Sequence, residues 1–320
     1  RVSPRATMLF LLIVVFCIQA DNTKANECSS PFNPIGNQCL YFGNLILENH
    51  ENAQAVCQSL GGHLARITEP QQLKDIVDYI VENGYGDVHY WVDGTDIVQE
   101  AQWKFSNGEA VPMGTPFWDV DNYDGTWRVQ PDNKHGYQNC LQLYKPYHYY
   151  FDDFYCNVSR AILCEEKVEI EMNMRTNLED ISCPALFVPV SGMCLAFLTF
   201  ADQTWDEARQ TCASLGGQLA KITQPQHIRD IYLYINQQGL NDDSFWIGGS
   251  DKENEGVWKF NDGSTIPSGT PFWGMGILPA QEPDGDILEN CLTLFAPGQY
   301  YFRDANCDNI FNPLCSINPI

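Results

Sequence analysis

Two tripeptides carry the groups in this chain best suited to chemistry: Gln130-Pro131-Asp132 and Glu282-Pro283-Asp284. Each sets side-chain oxygens on both sides of a proline. Each is followed by acidic residues beside an aromatic, as Phe151-Asp152-Asp153 and as Phe302-Arg303-Asp304. Carboxylate and amide oxygens suit a hard cation such as calcium, which takes about six to eight of them in a flexible geometry. A Pro-Asp pair by itself is an ordinary turn. The recurrence of the acidic strand before a cysteine, in both halves, favours the metal. The doublet Asp152/Asp153 could also suggest glycoside hydrolysis. Adjacent strand residues face opposite sides, however, and make a poor acid–base pair. There is no nucleophile elbow, phosphate loop or zinc motif, and the six histidines show no metal-ligand spacing. The chain reads as a binder, not an enzyme.

The elements that position these groups come in duplicate. Cys28, Cys57 and Trp91 each lie 155 residues before Cys183, Cys212 and Trp246; Cys140, Cys156 and Cys164 each lie 151 before Cys291, Cys307 and Cys315. The four residues lost in the second half fall between the tryptophan and the fourth cysteine. A period this long is a duplicated domain, not a solenoid. The halves run over 28–164 and 183–315, joined by a charged, aromatic-free linker over 165–182 that reads as solvated and semi-flexible. Each half opens with a strand (Gln38–Tyr41, Met193–Phe197). A helix follows, announced in the second half by the capping box Thr204-Trp205-Asp206-Glu207 and ended by Gly61-Gly62 or Gly216-Gly217. A second helix starts at Pro70 or Pro225, with apolar positions Leu73, Ile76, Val77, Ile80 and Ile228, Ile231, Tyr232, Ile235 at helical period. Short aromatic strands come next: Tyr90–Val92, Gln102–Phe105, Leu141–Tyr144 and Tyr149–Phe151. Between them runs a Gly/Pro/Asn/Asp-rich stretch, about 107–139, of a length usually functional or disordered.

Address and charge agree with this reading. Residues 8–20 read as a secretory signal, Met8 followed by an apolar run and a small residue at Ala20. Cleavage after Ala20, which takes residues 1–7 with Arg1 and Arg5 as well, leaves 16 basic and 41 acidic side chains, a net charge of about −25. That argues against nucleic acid and anionic membrane as partners. No later run is long enough to span a bilayer. Twelve cysteines remain, an even, regularly spaced set that in a secreted chain implies disulfides, with many pairings open from spacing alone. Asn157-Val158-Ser159 is a glycosylation sequon.

Six cysteines, two helices, Trp91-Val92-Asp93-Gly94 and Trp246-Ile247-Gly248-Gly249, the proline-centred tripeptide and the aromatic-x-Asp strand together resemble the C-type lectin domain, present twice. The resemblance implies an α+β fold: in each half two helices, small antiparallel sheets and a long calcium-binding loop. It implies the disulfides Cys28–Cys39, Cys57–Cys164, Cys140–Cys156, Cys183–Cys194, Cys212–Cys315 and Cys291–Cys307. The Cys57–Cys164 bridge closes a loop of about 100 residues, on the order of 4 kcal/mol by chain entropy.

The resemblance also implies a calcium ion that the loop and strand share with vicinal sugar hydroxyls, the prolines following cis bonds. Carried over by position, the first site is Gln130, Asp132, Gln138, Asp152 and Asp153; the second is Glu282, Asp284, Glu289 and Asp304. Gln before Asp is the order that goes with galactose-type sugars, Glu before Asn with mannose-type. Gln138 and Asp152 exchange the family's carboxylate and amide. Galactose binders carry an aromatic platform, for which Tyr137 and Trp127 are the candidates. In the second half Arg303 replaces a ligand, and a guanidinium repels calcium; it is expected to donate to a sugar hydroxyl or swing to solvent. An auxiliary calcium site is implied at Asp96 and Glu100, completed by Asn133 and Asn139, and at Asp251 and Glu255. The pair of tripeptides looks like the dual-domain secreted lectins of invertebrate innate immunity, which bind microbial glycans. The alternative is a calcium-independent protein-interaction module on the same fold.

Overall fold

The computed structural model describes residues 28–123, 126–167, 181–276 and 280–319. The signal read over 8–20 and most of the linker lie outside the described residues. In domain 1 the elements are β1 (Asn33–Ile35), β2 (Gln38–Glu48), α1 (His50–Ser59), β3 (Gly62–Leu64), α2 (Pro70–Glu82), β4 (Tyr90–Thr95), β5 (Val120–Tyr123), β6 (Thr126–Val129), β7 (Cys140–Leu143), β8 (Phe151–Phe154) and β9 (Arg160–Glu166). Domain 2 repeats them as β10 (Val188–Val190), β11 (Met193–Phe197), α3 (Trp205–Ser214), β12 (Gln218–Leu219), α4 (Pro225–Gln238), β13 (Phe245–Ser250), β14 (Lys259–Phe260), β15 (Cys291–Leu294), β16 (Phe302–Ala305) and β17 (Asn312–Ile317).

The helices start where the sequence places them. Thr204 and Glu207 close a capping box on α3, and Pro70 and Pro225 open α2 and α4. Gly61 and Gly216 follow the first helix of each domain at φ 92° and 80°, a turn that side chains resist. Leu73, Ile76, Val77 and Ile80 are buried, as are Ile228, Ile231 and Ile235. Each domain is a mixed sheet, ordered β1-β2-β9-β4-β7-β8 and β10-β11-β17-β13-β15-β16, in which the central pairs β4/β9 and β13/β17 are parallel. All six expected disulfides are formed. They anchor each long loop to the sheet, so the strand β8 or β16 lies beside its tripeptide.

Several local expectations are corrected. Lys104 makes only isolated bridges, to Thr95 and Ala110, where a strand over Gln102–Phe105 was expected; in domain 2 the same position forms β14. Tyr149 turns at φ 66° and the strand begins at Phe151. β2 continues to Glu48, and β9 to Glu166, two residues into the expected linker. The stretch 107–139 is ordered over most of its length: β5 and β6 form a hairpin, and cis bonds precede Pro116 and Pro131, with Pro271 and Pro283 matching them in domain 2.

The two domains pack on one another with near two-fold symmetry. Tyr150 donates its hydroxyl to Trp273 O at 2.8 Å, and Tyr301 donates to Trp118 O at 2.7 Å. Thr115 donates to Gln299 O at 2.5 Å, and Thr270 to His148 O at 2.8 Å. The rings of Tyr150 and Tyr301 meet edge to face with centroids 5.0 Å apart. Arg229 donates to Met113 O and Thr115 O across the seam. Tyr232, expected in the core of its own helix, instead turns toward Gly114 of domain 1, which has no room for a side chain. The long loops therefore serve as the interface as well as the site.

Candidate functional site

In domain 1 the strand β8 and the tripeptide loop are tied together by main-chain donors. Asp153 accepts from Asp132 N–H at 3.0 Å and from Asn133 N–H at 2.8 Å. Burial nevertheless pushes its carboxyl up to about 6, against those two bonds. Gln138 donates its amide to Asp153 O at 2.8 Å, and its own oxygen is buried with no hydrogen-bond partner. Gln130 accepts from Asp132 N–H at 3.0 Å. Asp152 accepts from Gln142 at 2.6 Å, and Gln142 in turn accepts from Arg160 at 3.0 Å. Burial, and next the charges of Asp153 and Asp132, hold the Asp152 carboxyl well above the usual range. The structure thus brings Gln130, Asp132, Gln138 and Asp153 to one end of the loop, and the charges of Asp153 and Asp132 reach Asp152 next to them.

Domain 2 gathers its acids more tightly. One oxygen each from Glu282, Asp284 and Asp304 lie within 4.8 Å of one another, the arrangement a metal ion requires. No trio of carboxylates meets in this way in domain 1 among the described residues. Asp304 accepts from Gly285 N–H at 3.0 Å. Both Glu282 oxygens are buried without a hydrogen bond. Burial, with Asp304 beside it, pushes this carboxyl up to about 10. Glu289 sits nearby, and its carboxyl is raised by burial and by the charge of Asp304. Arg303 neither reaches outward nor stands free. Its Nε lies 3.3 Å from Glu282 Oε1, an ion pair without hydrogen-bond alignment. Its guanidinium covers the rings of Phe295 at 5.0 Å and of Trp127 at 5.6 Å. Trp127 is therefore no platform for domain 1; it packs on domain 2. Tyr137 remains largely exposed beside the first tripeptide.

At the auxiliary position, Asp96 is buried with Oδ1 unpartnered and Oδ2 accepting from Ala101 N–H; burial and the charge of Glu100 raise its carboxyl. Asn139 presents a second unpartnered buried oxygen, and its carbonyl accepts from Asp96 N–H. Asn133 does not join them: its side chain accepts from Gln138 N–H at 3.1 Å. In domain 2, Asp251 and Asn290 repeat the unpartnered pair, and Glu255 occupies the position of Glu100 in the same turn. A cavity of about 670 Å³ lined by His50, Asp93, Ile97 and Phe105 contains none of these residues.

Sequence reasoning missed two acids at the start of β5, Asp119 just before it and Asp121 within it. Both are buried beside Asp152, with no side-chain donor on Asp119 and no hydrogen-bond partner for Asp121 Oδ1 among the described residues. The readable signal was Trp118-Asp119-Val120-Asp121 against Trp273-Gly274-Met275-Gly276 in the second half.

The lectin C-type domain model matches residues 46–166 and 201–317. The chain is 24% identical over 303 residues to the C-type mannose receptor 2 of Mus musculus, covering 91% of this chain and 18% of that protein. It therefore spans under a fifth of that receptor's length. A perlucin-like protein of Mytilus galloprovincialis is 26% identical over 156 residues, 47% of this chain and 91% of that protein. Among solved structures, the mouse scavenger receptor C-type lectin carbohydrate-recognition domain is 25% identical with a TM-score of 0.35, covering 43% of this chain and 98% of its own. A calcium-independent type II antifreeze protein is also 25% identical with a TM-score of 0.35, covering 45% and 99%. With two matches over most of its length, each on one half of the repeat, the chain belongs to the C-type lectin domain family and carries that domain twice.

Proposed function

We propose that the chain is a secreted, calcium-dependent carbohydrate-binding protein that recognises microbial glycans. The observation that carries this reading is the meeting of Glu282, Asp284 and Asp304 oxygens, with both Glu282 oxygens buried and without a hydrogen bond and the Arg303 guanidinium beside only one of them. Buried carboxylates of that kind are normally neutralised by a cation. The residues present fit calcium: their donors are all oxygens, and the orphaned oxygens of Gln138, Asp96, Asn139, Asp251 and Asn290 extend the same chemistry. When bound, calcium offers coordination positions to paired sugar hydroxyls. In domain 1 Gln130 and Asp132 present one amide and one carboxylate, the order for galactose-type sugars, with Tyr137 as the exposed ring. In domain 2 Glu282 and Asp284 only accept, so the choice between galactose and mannose is relaxed there.

Asn157 is exposed between β8 and β9, in keeping with glycosylation and secretion. Among the described residues no helix is long and apolar enough to cross a membrane. The proposed role is recognition without catalysis.

The test is retention of the purified protein on galactose- and mannose-agarose in calcium, followed by EDTA. Elution by EDTA is the expected result; retention that ignores EDTA discards the calcium mechanism.

One observation favours a second reading, a calcium-independent interaction module: Arg303 already lies against Glu282. Calorimetry with calcium separates the two, since that reading expects no heat and no thermal shift.

A further inference from the structure

Domain 1 carries two aspartates at the start of β5, Asp119 just before it and Asp121 within it, where domain 2 carries glycines, and hydrogen bonds fix the equivalence. Asp119 N–H donates to Phe151 O at 3.0 Å, and Asp119 O accepts from Gln130 N–H at 2.9 Å; Gly274 makes the same pair with Phe302 and Glu282, both at 3.0 Å. Two residues on, Asp121 stands where Gly276 does. Gly276 shows what that position faces. A Cβ on it would collide with the Asp284 carboxylate and lie 3.2 Å from Glu282 Oε1. The corresponding Cβ of Asp121 therefore abuts the tripeptide of domain 1, and the charge of Asp132 bears on Asp121. Asp119 lies one step deeper, under the charges of Asp121 and Asp152.

These carboxylates are placed as cation ligands are. Asp119 is fully buried, its carboxylate approached by the Val120 N–H and by no side-chain donor among the described residues; Asp121 is 1% exposed, and its Oδ1 has no hydrogen-bond partner. Tyr147 donates to Asp121. A buried carboxylate is costly unless it is paired or coordinates a metal. Gln130 and Gln138 are neutral where domain 2 has Glu282 and Glu289, and Asp119 and Asp121 supply two carboxylates where domain 2 has glycines. Five carboxylates, those of Asp119, Asp121, Asp132, Asp152 and Asp153, repel one another and stand further apart than the trio of domain 2.

We propose that the cation site of domain 1 extends onto β5, with Asp121 a direct calcium ligand beside Asp132 and Asp152, and Asp119 the supporting carboxylate behind it. The inference rests on reading domain 1 as a calcium site.

The experiment is calorimetric titration of the full chain with calcium, in an Asp304→Asn background that silences domain 2. Asp121→Asn and Asp119→Asn are compared with Asp153→Asn, and each variant is melted in EDTA. Asp121→Asn and Asp119→Asn should each weaken calcium binding about 10- to 100-fold, the loss typical even for groups that support a ligand. Their melting temperatures in EDTA should equal or exceed the parent's, because like-charge repulsion is relieved. If both bind as the parent does while Asp153→Asn has lost the ion, the domain 1 site stands and the β5 extension falls. If Asp153→Asn also binds as the parent does, the domain 1 reading falls and takes this inference with it. Weaker binding matched by an equal loss of stability in EDTA also overturns it, since that marks a packing role.

Discussion

Arg303 of domain 2 lies over the ring of Trp127 of domain 1, 5.6 Å from its centroid. A residue that breaks the calcium pattern of one domain is thus held by an aromatic from the other. Phe295 covers the guanidinium as well, and Glu282 supplies the counter-charge. The second site is assembled by both halves of the chain.

Replacing Arg303 with Asn should raise the calcium affinity of domain 2 by about tenfold, since a neighbouring cation at this range shifts a carboxylate by one unit or more. Calorimetry in the Asp153→Asn background reads it. An unchanged isotherm refutes the idea that Arg303 competes with the ion.

Trp127→Ala should cost about 1–2 kcal/mol of stability through the lost cation–π contact and seam packing. Its effect on domain 2 calcium binding should be non-additive with Arg303→Asn, because the two residues touch. A double-mutant cycle measured by calorimetry would give no coupling energy if the contact is incidental.

Tyr150→Phe and Tyr301→Phe each delete one buried hydrogen bond to the opposite domain's backbone. Each should destabilise the pair of domains by about 1 kcal/mol. A protease site placed between residues 167 and 181, once cut, should leave two halves that co-elute on gel filtration. Separate elution of the halves counts against the seam.

Asp153 sets a pH dependence. Its folded carboxyl titrates at about 6, above the ordinary value of 3.8. Between those values the folded state holds a proton that the unfolded chain has released, so its contribution to stability in EDTA is present at low pH and lost as pH rises through about 6. Calcium reverses the trend, because the ion needs the carboxylate. Wild type minus Asp153→Asn, melted at pH 5 and 7 in EDTA and in calcium, should show opposite slopes; parallel slopes would exclude the linkage.

Much of the scaffold was legible because its signals are local. The Thr204 box, Pro70 and Pro225 at helix starts, and apolar positions at helical period each act within a few residues. The disulfides and the cis bonds at Pro131 and Pro283 came from family resemblance; spacing alone left many pairings open. The contacts between domains were not legible. Tyr232 fits a core helix face as well as a seam, and Trp127 fits a platform as well as a clamp, because apolar surface does not name its partner. Asp119 and Asp121 escaped for another reason: an acid on a short strand reads as a solvated edge until the chain that buries it is in place.

The paired threonine and tyrosine bonds across the seam have a consequence for reach. Two recognition faces joined by a tether search a volume; two faces bolted together present one spacing only. If both faces bind sugars as proposed, such a molecule would behave as a calliper, gripping a lattice of epitopes whose repeat matches its own gap and passing over the same sugars set closer or wider.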